Sequence, residues 1–246
     1  VVTYGATHAV RDVSAAFRAG EVVALMGRNG AGKSSLLRSF VGMAKPSSGT
    51  ATVGGMQPSA VRASRLITVV GLVPQDASDI LYAESVAEEC AQADHDTGAR
   101  RGSCRAVLED LSPGIPDDRH PGDLSEGQRL ILALAIVLTA SPPLLLLDEP
   151  TRGLDYGAKR RLVEILRRLA AEGHGVVLAT HDVELVAEVA TRVMVMADGE
   201  TVADGPTAEV VVSSPAFAPQ VAKILAPQPW LTVGDVSAVL PARTAS

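Results

Sequence analysis

The chain has 246 residues, a length that suits one large α/β domain or one domain with small appendages. Apolar residues make up 47% of it and Phe, Trp and Tyr only 3%, so the core must consist mostly of Ala, Val and Leu. The formal charge of −6, without a block of Lys and Arg, argues against nucleic acid as a partner.

A buried strand is predicted at Val22–Met26, and a glycine-rich segment follows it directly. The segment fills every position of the pattern G-x-x-x-x-G-K-S/T with Gly27, Arg28, Asn29, Gly30, Ala31, Gly32, Lys33 and Ser34. In such a loop, backbone N–H groups surround the α- and β-phosphates, and the start of the following helix adds partial positive charge. Lys33 can reach the β- and γ-phosphates, and the Ser34 hydroxyl can bind Mg²⁺. The pattern predicts a nucleoside triphosphate site; a glycine turn without a ligand is the alternative.

Four more apolar runs have the length of a strand, at 68–73, 144–147, 176–179 and 193–196. Helix-patterned segments lie between several of them, which predicts a mostly parallel sheet with helices on its faces. Shorter antiparallel strands are predicted at 50–53 and 200–203, the second after a turn at Asp198 and Gly199.

Residues 84–140 are rich in Ala and contain no convincing strand, so we expect a helical subdomain at about residues 80–140. Within it, Ser125 is predicted to cap a helix that has Glu126 in its first turn. The longest apolar region, 130–147, is interrupted by a Ser-Pro-Pro segment and falls short of the ~20 residues that a membrane span requires. After Pro206 a short helix is expected, followed by a proline-punctuated tail that contains Trp230.

Two acidic residues, Asp148 and Glu149, follow the apolar run at 144–147. An all-apolar strand is buried on both faces, so its polar end is expected at the carboxyl edge of the sheet, where open α/β sheets bind ligands. Asp148 would there hold the Mg²⁺ ion between the β- and γ-phosphates, and Glu149 would face the γ-phosphate and polarise water. The alternative is an acidic helix cap, although two adjacent carboxylates at a buried edge repel each other unless a cation compensates.

Cys90 and Cys104 have no His or Cys at metal-ligand spacing, so two reduced thiols are expected rather than a disulfide. Four histidines also lack a partner at ligand spacing and are predicted to be solvated: His8, His95, His120 and His174.

Further motifs along the chain resemble those of ATP-binding-cassette (ABC) ATPases. The segment Leu124-Ser125-Glu126-Gly127-Gln128 resembles the family's LSGGQ signature, and Gly153-Leu154-Asp155 is similar to its D-loop. Gln75 resembles the Q-loop glutamine, His181 the switch histidine and Tyr4 the aromatic residue that stacks on adenine. Each motif has an alternative: taken alone, His181 would be a helix cap, Gln75 an exposed loop amide and Tyr4 a cover for the sheet edge.

The resemblance implies the α/β fold of a P-loop NTPase of the ABC type, with a mostly parallel core sheet, an antiparallel edge and an inserted helical subdomain. The ABC domain would span residues 1–210, and a helical or extended tail residues 211–246. By resemblance, the ATP-binding residues are Tyr4, Gly27, Asn29, Gly30, Ala31, Gly32, Lys33, Ser34 and Ser35. The Mg²⁺ ligands would be Ser34, Gln75 and Asp148, with Glu149, His181 and Gln75 as the catalytic residues.

The resemblance also implies a composite site, in which two cassettes close head-to-tail around two ATP molecules. One copy would contribute its signature residues Ser125, Gly127 and Gln128, and its D-loop Asp155, to the nucleotide held by the other. Glu126 departs from the family because a glycine stands there in the signature. A carboxylate that faced a triphosphate would oppose binding, so Glu126 is expected to point outward. The second cassette would be either another copy of this chain or a different protein.

Two classes of ABC protein are weighed: the ATP-hydrolysing motor of a membrane transporter, and a soluble ABC ATPase acting in translation or DNA maintenance. The short distance from Gly32 to Leu124 leaves no room for a long coiled-coil or zinc-hook insertion, which favours transport. Several segments resemble the energy-coupling-factor (ECF) type that imports vitamins and metal ions: 70–76, 81–89, 151–156, 217–223 and 230–232. That resemblance implies a peripheral subunit at the cytoplasmic face of the membrane, docked to transmembrane subunits beside Gln75. The start at Val1, without Met, further suggests the second half of a tandem-cassette protein.

Overall fold

A computed structural model describes residues 1–213, 219–225 and 230–239. The strands in these residues are β1 (Val2–Tyr4), β2 (Thr7–Val10), β3 (Val22–Met26), β4 (Val70–Val73), β5 (Leu144–Asp148), β6 (Gly175–Ala179), β7 (Arg192–Ala197) and β8 (Glu200–Pro206). The helices are α1 (Lys33–Phe40), α2 (Ala63–Leu66), α3 (Val86–Thr97), α4 (Ser103–Leu111), α5 (Glu126–Leu138), α6 (Tyr156–Ala171), α7 (Val183–Val189), α8 (Thr207–Ser213), α9 (Gln220–Leu225) and α10 (Val233–Val239).

The main sheet of the described residues has six strands in the order β4-β5-β6-β3-β7-β8. The first five pair in parallel, and β8 pairs antiparallel with β7 at the edge. Strands β3 and β6 are buried along their whole length, as expected for parallel strands covered by helices on both faces. The α/β architecture with a mostly parallel sheet and an antiparallel edge is therefore confirmed.

Between β4 and β5 the chain is helical, as predicted. Helices α3, α4 and α5 share one apolar cluster, in which Leu108, Leu132 and Leu134 are almost completely buried. Helix α5 also packs against β4, where a Cβ atom on Gly71 would lie only 2.1 Å from Val137 Cγ1. Only glycine allows that approach, so Gly71 sits inside a strand for a packing reason.

One local prediction was wrong, and one hairpin was missed. Residues 50–53 do not form a strand, and Val53 makes only an isolated bridge to Met56. The reason is the turn that follows at once: Gly54 and Gly55 both have positive φ, so the chain reverses before a ladder can extend. The antiparallel hairpin of β1 and β2, which reverses at Gly5, was not predicted because each strand is too short for a clear pattern.

Other expectations at single residues gave mixed results. Cys90 and Cys104 are free thiols, buried in the helical region. His174 was predicted to be solvated, but it is half-buried and its Nδ1 lies 2.8 Å from the carbonyl oxygen of Pro142. The turn at Asp198 and Gly199 is confirmed, since both residues have positive φ between β7 and β8.

The described residues after β8 pack against α7 and β3. The backbone N–H of Gln220 donates to Glu184 Oε1 at 2.8 Å. Val211 and Leu231 are buried in a cluster with Ala24 and Met26 of β3. Phe217 and Ala218, part of the predicted tail motif, lie outside the described residues. None of the helices in the described ranges combines the length and apolar character needed to cross a membrane.

Candidate nucleotide-binding site

The loop at residues 27–32 connects β3 to α1, and glycine is required at two of its positions. Gly27 and Gly32 have φ values of 148° and 100°. A Cβ atom would lie 2.2 Å from the carbonyl oxygen of Met196 at Gly27, and 2.2 Å from that of Ala9 at Gly32. Any side chain at these positions would therefore collide with the backbone of β7 or β2. This close packing fixes the loop at the carboxyl end of β3.

Helix α1 starts at Lys33, and no side chain caps its first turn. The first N–H groups of such a helix, together with its dipole, form an anion-binding site. Lys33 is only 6% exposed, and its ammonium group donates to the carbonyl oxygen of Gly27 at 2.8 Å. The loop and Lys33 thus concentrate hydrogen-bond donors and one positive charge at a single point.

Asp148 lies at the end of β5, beside the first turn of α1. Burial raises the pKa of Asp148 above its usual 3.8, and the hydrogen bond with Ser34 offsets this effect only in part. Asp148 Oδ1 is also buried and has no hydrogen-bond partner within the described residues. A buried carboxylate oxygen without a partner is costly, and a bound cation would remove that cost.

Glu149 lies between the ammonium group of Lys33 and the imidazole of His181. Its Oε1 is 3.7 Å from Lys33 Nζ, and its Oε2 is 2.7 Å from His181 Nδ1. The backbone of Glu149 has φ 49°, an uncommon and strained value for a residue with a side chain, and its N–H donates to Ala179 O at 2.7 Å. The glutamate side chain is 11% exposed, whereas that of His181 is 74% exposed.

The phosphate loop, Lys33, Glu149 and His181 line one cavity of about 740 Å³, and Asp148 is not among its lining residues. It is lined by Thr7, His8, Ala9, Asn29, Gly30, Ala31, Gly32, Lys33, Ser34, Ser35, Gln75, Glu149, Arg152 and His181. The fold thus brings together the phosphate-loop residues, Gln75, Glu149 and His181, which are far apart in the sequence. An anion could enter this cavity and meet donors from the loop, with the carboxylate of Glu149 and the imidazole of His181 in the same cavity.

Tyr4 lies beside this cavity rather than among its lining residues in the described chain. It ends β1, is 46% exposed, and pairs with Thr7 of β2, which does line the cavity. Its predicted contact with adenine stays a prediction.

Sequence reasoning did not identify four of the lining residues, namely Thr7, His8, Ala9 and Arg152. The first three reach the site only because β2 packs on the phosphate loop, and no sequence pattern shows that contact. Arg152 had a usable signal, since it is a cation three residues after Glu149 at the end of a buried strand.

The signature residues lie in a second, smaller cavity of the same chain. Ser125 and Gln128 form a capping box at the start of α5: Ser125 Oγ accepts from the Gln128 N–H, and Gln128 Oε1 accepts from the Ser125 N–H. Asp155 caps α6, accepting from the Ala158 N–H at 2.7 Å. Ser125, Gly127, Gln128 and Asp155 all line this cavity of about 330 Å³, and none of them lines the phosphate-loop cavity.

Glu126 lies between these two helix starts. Its carboxylate bonds to Arg129 on the next turn of α5, and its side chain is about half exposed. A Cβ atom on Gly153 would lie 3.1 Å from Glu126 Cγ, so the glutamate covers the loop before Asp155.

The fold and site define a P-loop nucleotide-binding protein: a buried strand, a glycine loop that leads into a helix, and an acid at the end of another parallel strand of the same sheet. Residues 10–152 match the family model described as ABC transporter. The chain belongs to the ABC transporter family, and its curated relatives are named as ATP-binding proteins of ABC transporters.

A protein of Streptomyces avermitilis named as an ABC transporter ATP-binding protein is 62% identical over 239 residues. The match covers 97% of this chain and 43% of that protein, so the chain spans about two fifths of the length of this curated relative. Among solved structures, CbiO1 from Clostridium perfringens, part of the ABC transporter complex CbiONQ, is 30% identical with a TM-score of 0.76 over 89% of each chain. The dimeric structure of a bacterial ABC transporter cassette is 25% identical with a TM-score of 0.73, covering 82% of this chain and 91% of that chain.

Proposed function

We propose that this chain binds ATP in the cavity at the phosphate loop and hydrolyses it with Glu149 as the base that orients water. The observation that carries this proposal is the position of Glu149, between Lys33 and a hydrogen-bonded His181 at the edge of that cavity. A base must lie within reach of the group it activates and be held there, and the contact with His181 provides such a hold. We assign to His181 the contact with the γ-phosphate, and to Tyr4 the stacking on adenine.

We propose Asp148, Ser34 and Gln75 as the residues that hold Mg²⁺. The donor set consists of oxygen atoms, as this ion prefers, and the partnerless Asp148 Oδ1 fits a cation. The ion, when bound, supplies charge neutralisation for the phosphates. The side chain of Ser34 lies close enough to Asp148 to lower the pKa of that carboxyl, so the two could hold one ion together.

We propose that the complete site forms between two cassettes. The signature residues and the phosphate loop line different cavities of one chain, so Ser125, Gly127 and Gln128 can meet a γ-phosphate only when another chain brings it. The capping box at the start of α5 occupies the N–H groups of Ser125 and Gln128, and the helix dipole there still favours an anion such as a γ-phosphate. Hydrolysis would remove the shared phosphate and allow the cassettes to separate.

We propose further that the chain is the motor of an ECF-type importer of a vitamin or metal ion. It would work at the cytoplasmic face of the membrane, with transmembrane subunits docked near Gln75. The support is the segment resemblance and the likeness to CbiO1, a part of a transporter complex. We assign the cassette to residues 1–210 and treat residues 211–246 as a C-terminal tail.

Replacing Glu149 by Gln tests the proposed hydrolysis. The amide keeps the shape of the side chain but cannot act as a base, so turnover should fall by at least about tenfold while ATP binding is retained. Phosphate release and equilibrium binding of a fluorescent ATP analogue measure the two effects. Turnover within twofold of the unchanged chain would remove Glu149 from this role, and Glu164→Gln on α6, lining a different cavity, is the control.

Co-purification tests the proposed transport class. After gentle membrane extraction from the native host, the chain should bring down a small substrate-binding membrane protein together with a separate transmembrane scaffold. Recovery with ribosomes or DNA instead, and with no membrane protein, would favour a soluble ABC ATPase and contradict the transport proposal.

A further inference from the structure

Asp182, the residue after His181, has a carboxylate that is bound from several directions. Its Oδ2 accepts from Lys159 Nζ at 2.8 Å, and its Oδ1 accepts from the Leu185 N–H at 3.1 Å. The side chain of Asp182 is only 12% exposed, and that of Lys159 is 41% exposed. The ion pair therefore joins the start of α6 to the start of α7.

A third segment reaches the same carboxylate. The side chain of Thr151, two residues after Glu149, lies close enough to Asp182 to lower the pKa of that carboxyl. Thr151 is 7% exposed, and Thr180 on the other side is completely buried, with its hydroxyl accepting from the Asp182 N–H at 3.1 Å. Asp182 thus holds together α6, the segment after Glu149 and the loop that carries His181.

His181 itself has little to hold it. Its side chain is 74% exposed, and its ring approaches Glu149 Oε2 at 2.7 Å. The position of the imidazole must then depend on the backbone of its loop, and that backbone is anchored one residue later by Asp182.

We propose that Lys159 is a positioning residue that acts through Asp182: the ion pair fixes the His181 loop so that the imidazole stays against Glu149. Because α6 starts at the Asp155 cap, the pair also connects the D-loop to His181. This inference rests on the proposed hydrolysis for its effect on turnover. Its structural part concerns only the position of the His181 ring.

The fold offers a matched control for the loss of this ion pair. Arg167 also lies on α6 and pairs with Glu188 of α7, with Arg167 Nη2 at 2.7 Å from Glu188 Oε2. Both pairs join the same two helices and are partly exposed, so each contributes modestly to stability. Only the pair of Lys159 and Asp182 adjoins the site.

The experiment compares Lys159→Met, Lys159→Arg and Arg167→Met. Lys159→Met keeps the aliphatic stem but loses the charge, and should lower kcat about tenfold with KM for MgATP changed less than about twofold, since small misplacements of a catalytic group are costly. Lys159→Arg should restore most of kcat, and Arg167→Met should leave both constants unchanged. The NMR chemical shift of the His181 ring, assigned by its loss in His181→Gln, is measured at fixed pH. It should change in Lys159→Met and be unchanged in Arg167→Met.

Asp182→Asn provides a second variant that can keep the α7 cap through its amide oxygen while losing the ion pair, and it should behave like Lys159→Met. Equal kcat values and equal His181 signals in Lys159→Met and Arg167→Met would overturn the proposal. If the unchanged chain hydrolyses no ATP, the proposed function fails, but the His181 signal still decides whether Lys159 positions the ring.

Discussion

Adjacent residues at the end of β5 differ sharply in their surroundings. Burial raises the pKa of Asp148, and Ser34 offsets this increase in part. One oxygen of Asp148 has no hydrogen-bond partner in the described chain. Glu149 is held instead between a cation and an imidazole, on a backbone with φ 49°. Two adjacent carboxylates thus differ in their electrostatic environment because the fold gives each of them a different set of neighbours.

The pH dependence of stability tests the ion pair of Asp182. Burial alone would raise the pKa of Asp182, but the hydrogen bonds from Lys159, the Leu185 N–H and Thr151 hold it below its usual 3.8. A carboxylate with a lowered folded-state pKa contributes stability above the unfolded-state pKa, and this stability is lost as the pH falls through the folded-state pKa. We therefore expect Asp182→Asn to reduce the free energy of unfolding at neutral pH, and to matter progressively less below pH 3.8.

Denaturant titrations of the unchanged chain and of Asp182→Asn, from neutral pH to below pH 3.8, measure the difference in their free energies of unfolding. A constant difference between them at neutral and strongly acidic pH would contradict the charge on Asp182 as its source.

At the scale of elements, the capping box at the start of α5 stabilises the helix and contains Ser125, for which we propose a binding role as well. Ser125 Oγ accepts from the Gln128 N–H at 3.3 Å, and Ser85 at the start of α3 accepts from the Glu88 N–H at the same distance. The two serines therefore have comparable roles as caps, but only Ser125 belongs to the signature motif.

Replacing each serine by Ala separates the two roles of Ser125. Both variants should lose about 1 kcal/mol of stability, the usual contribution of an N-cap. Ser125→Ala alone should weaken ATP-dependent pairing of cassettes and slow hydrolysis. Thermal unfolding and phosphate release measure these effects; matching losses of activity in Ser85→Ala and Ser125→Ala would attribute them to helix stability alone.

At the scale of the whole molecule, the separation of the two cavities is the central feature. The phosphate loop and the signature each present donors to solvent on the same chain, without sharing a cavity. Under the proposed composite site, the signature of one chain would complete the site around a nucleotide bound by the other, and assembly would then depend on ATP.

We expect the Glu149→Gln variant to form a dimer in the presence of ATP and Mg²⁺, because the γ-phosphate then persists between the chains. Light scattering should show a mass near twice that of the 25.4 kDa chain, returning to one chain when the metal is chelated. Elution at the mass of one chain with ATP bound would exclude pairing of this chain with itself and favour a different cassette as its partner.

The sequence by itself determined the phosphate loop, the two acids at the end of a strand, the positions of the apolar runs that form the parallel strands, and the helical insertion. These are local signals, since spacing of small residues and runs of apolar residues reflect backbone and burial requirements nearby in the chain. Ser125 as the cap of α5 was predictable for the same reason. The failure at residues 50–53 shows the limit, because two following glycines reversed a chain that had the composition of a strand.

Only the tertiary structure decided which distant residues meet. The contact of His181 with Glu149, the packing of β2 on the phosphate loop and the ion pair of Lys159 with Asp182 join segments far apart in the chain. The need for glycine at position 71 also follows from a distant residue, Val137 of α5, which packs against that strand. Such contacts depend on how helices and strands pack, and a single sequence carries no local pattern for them.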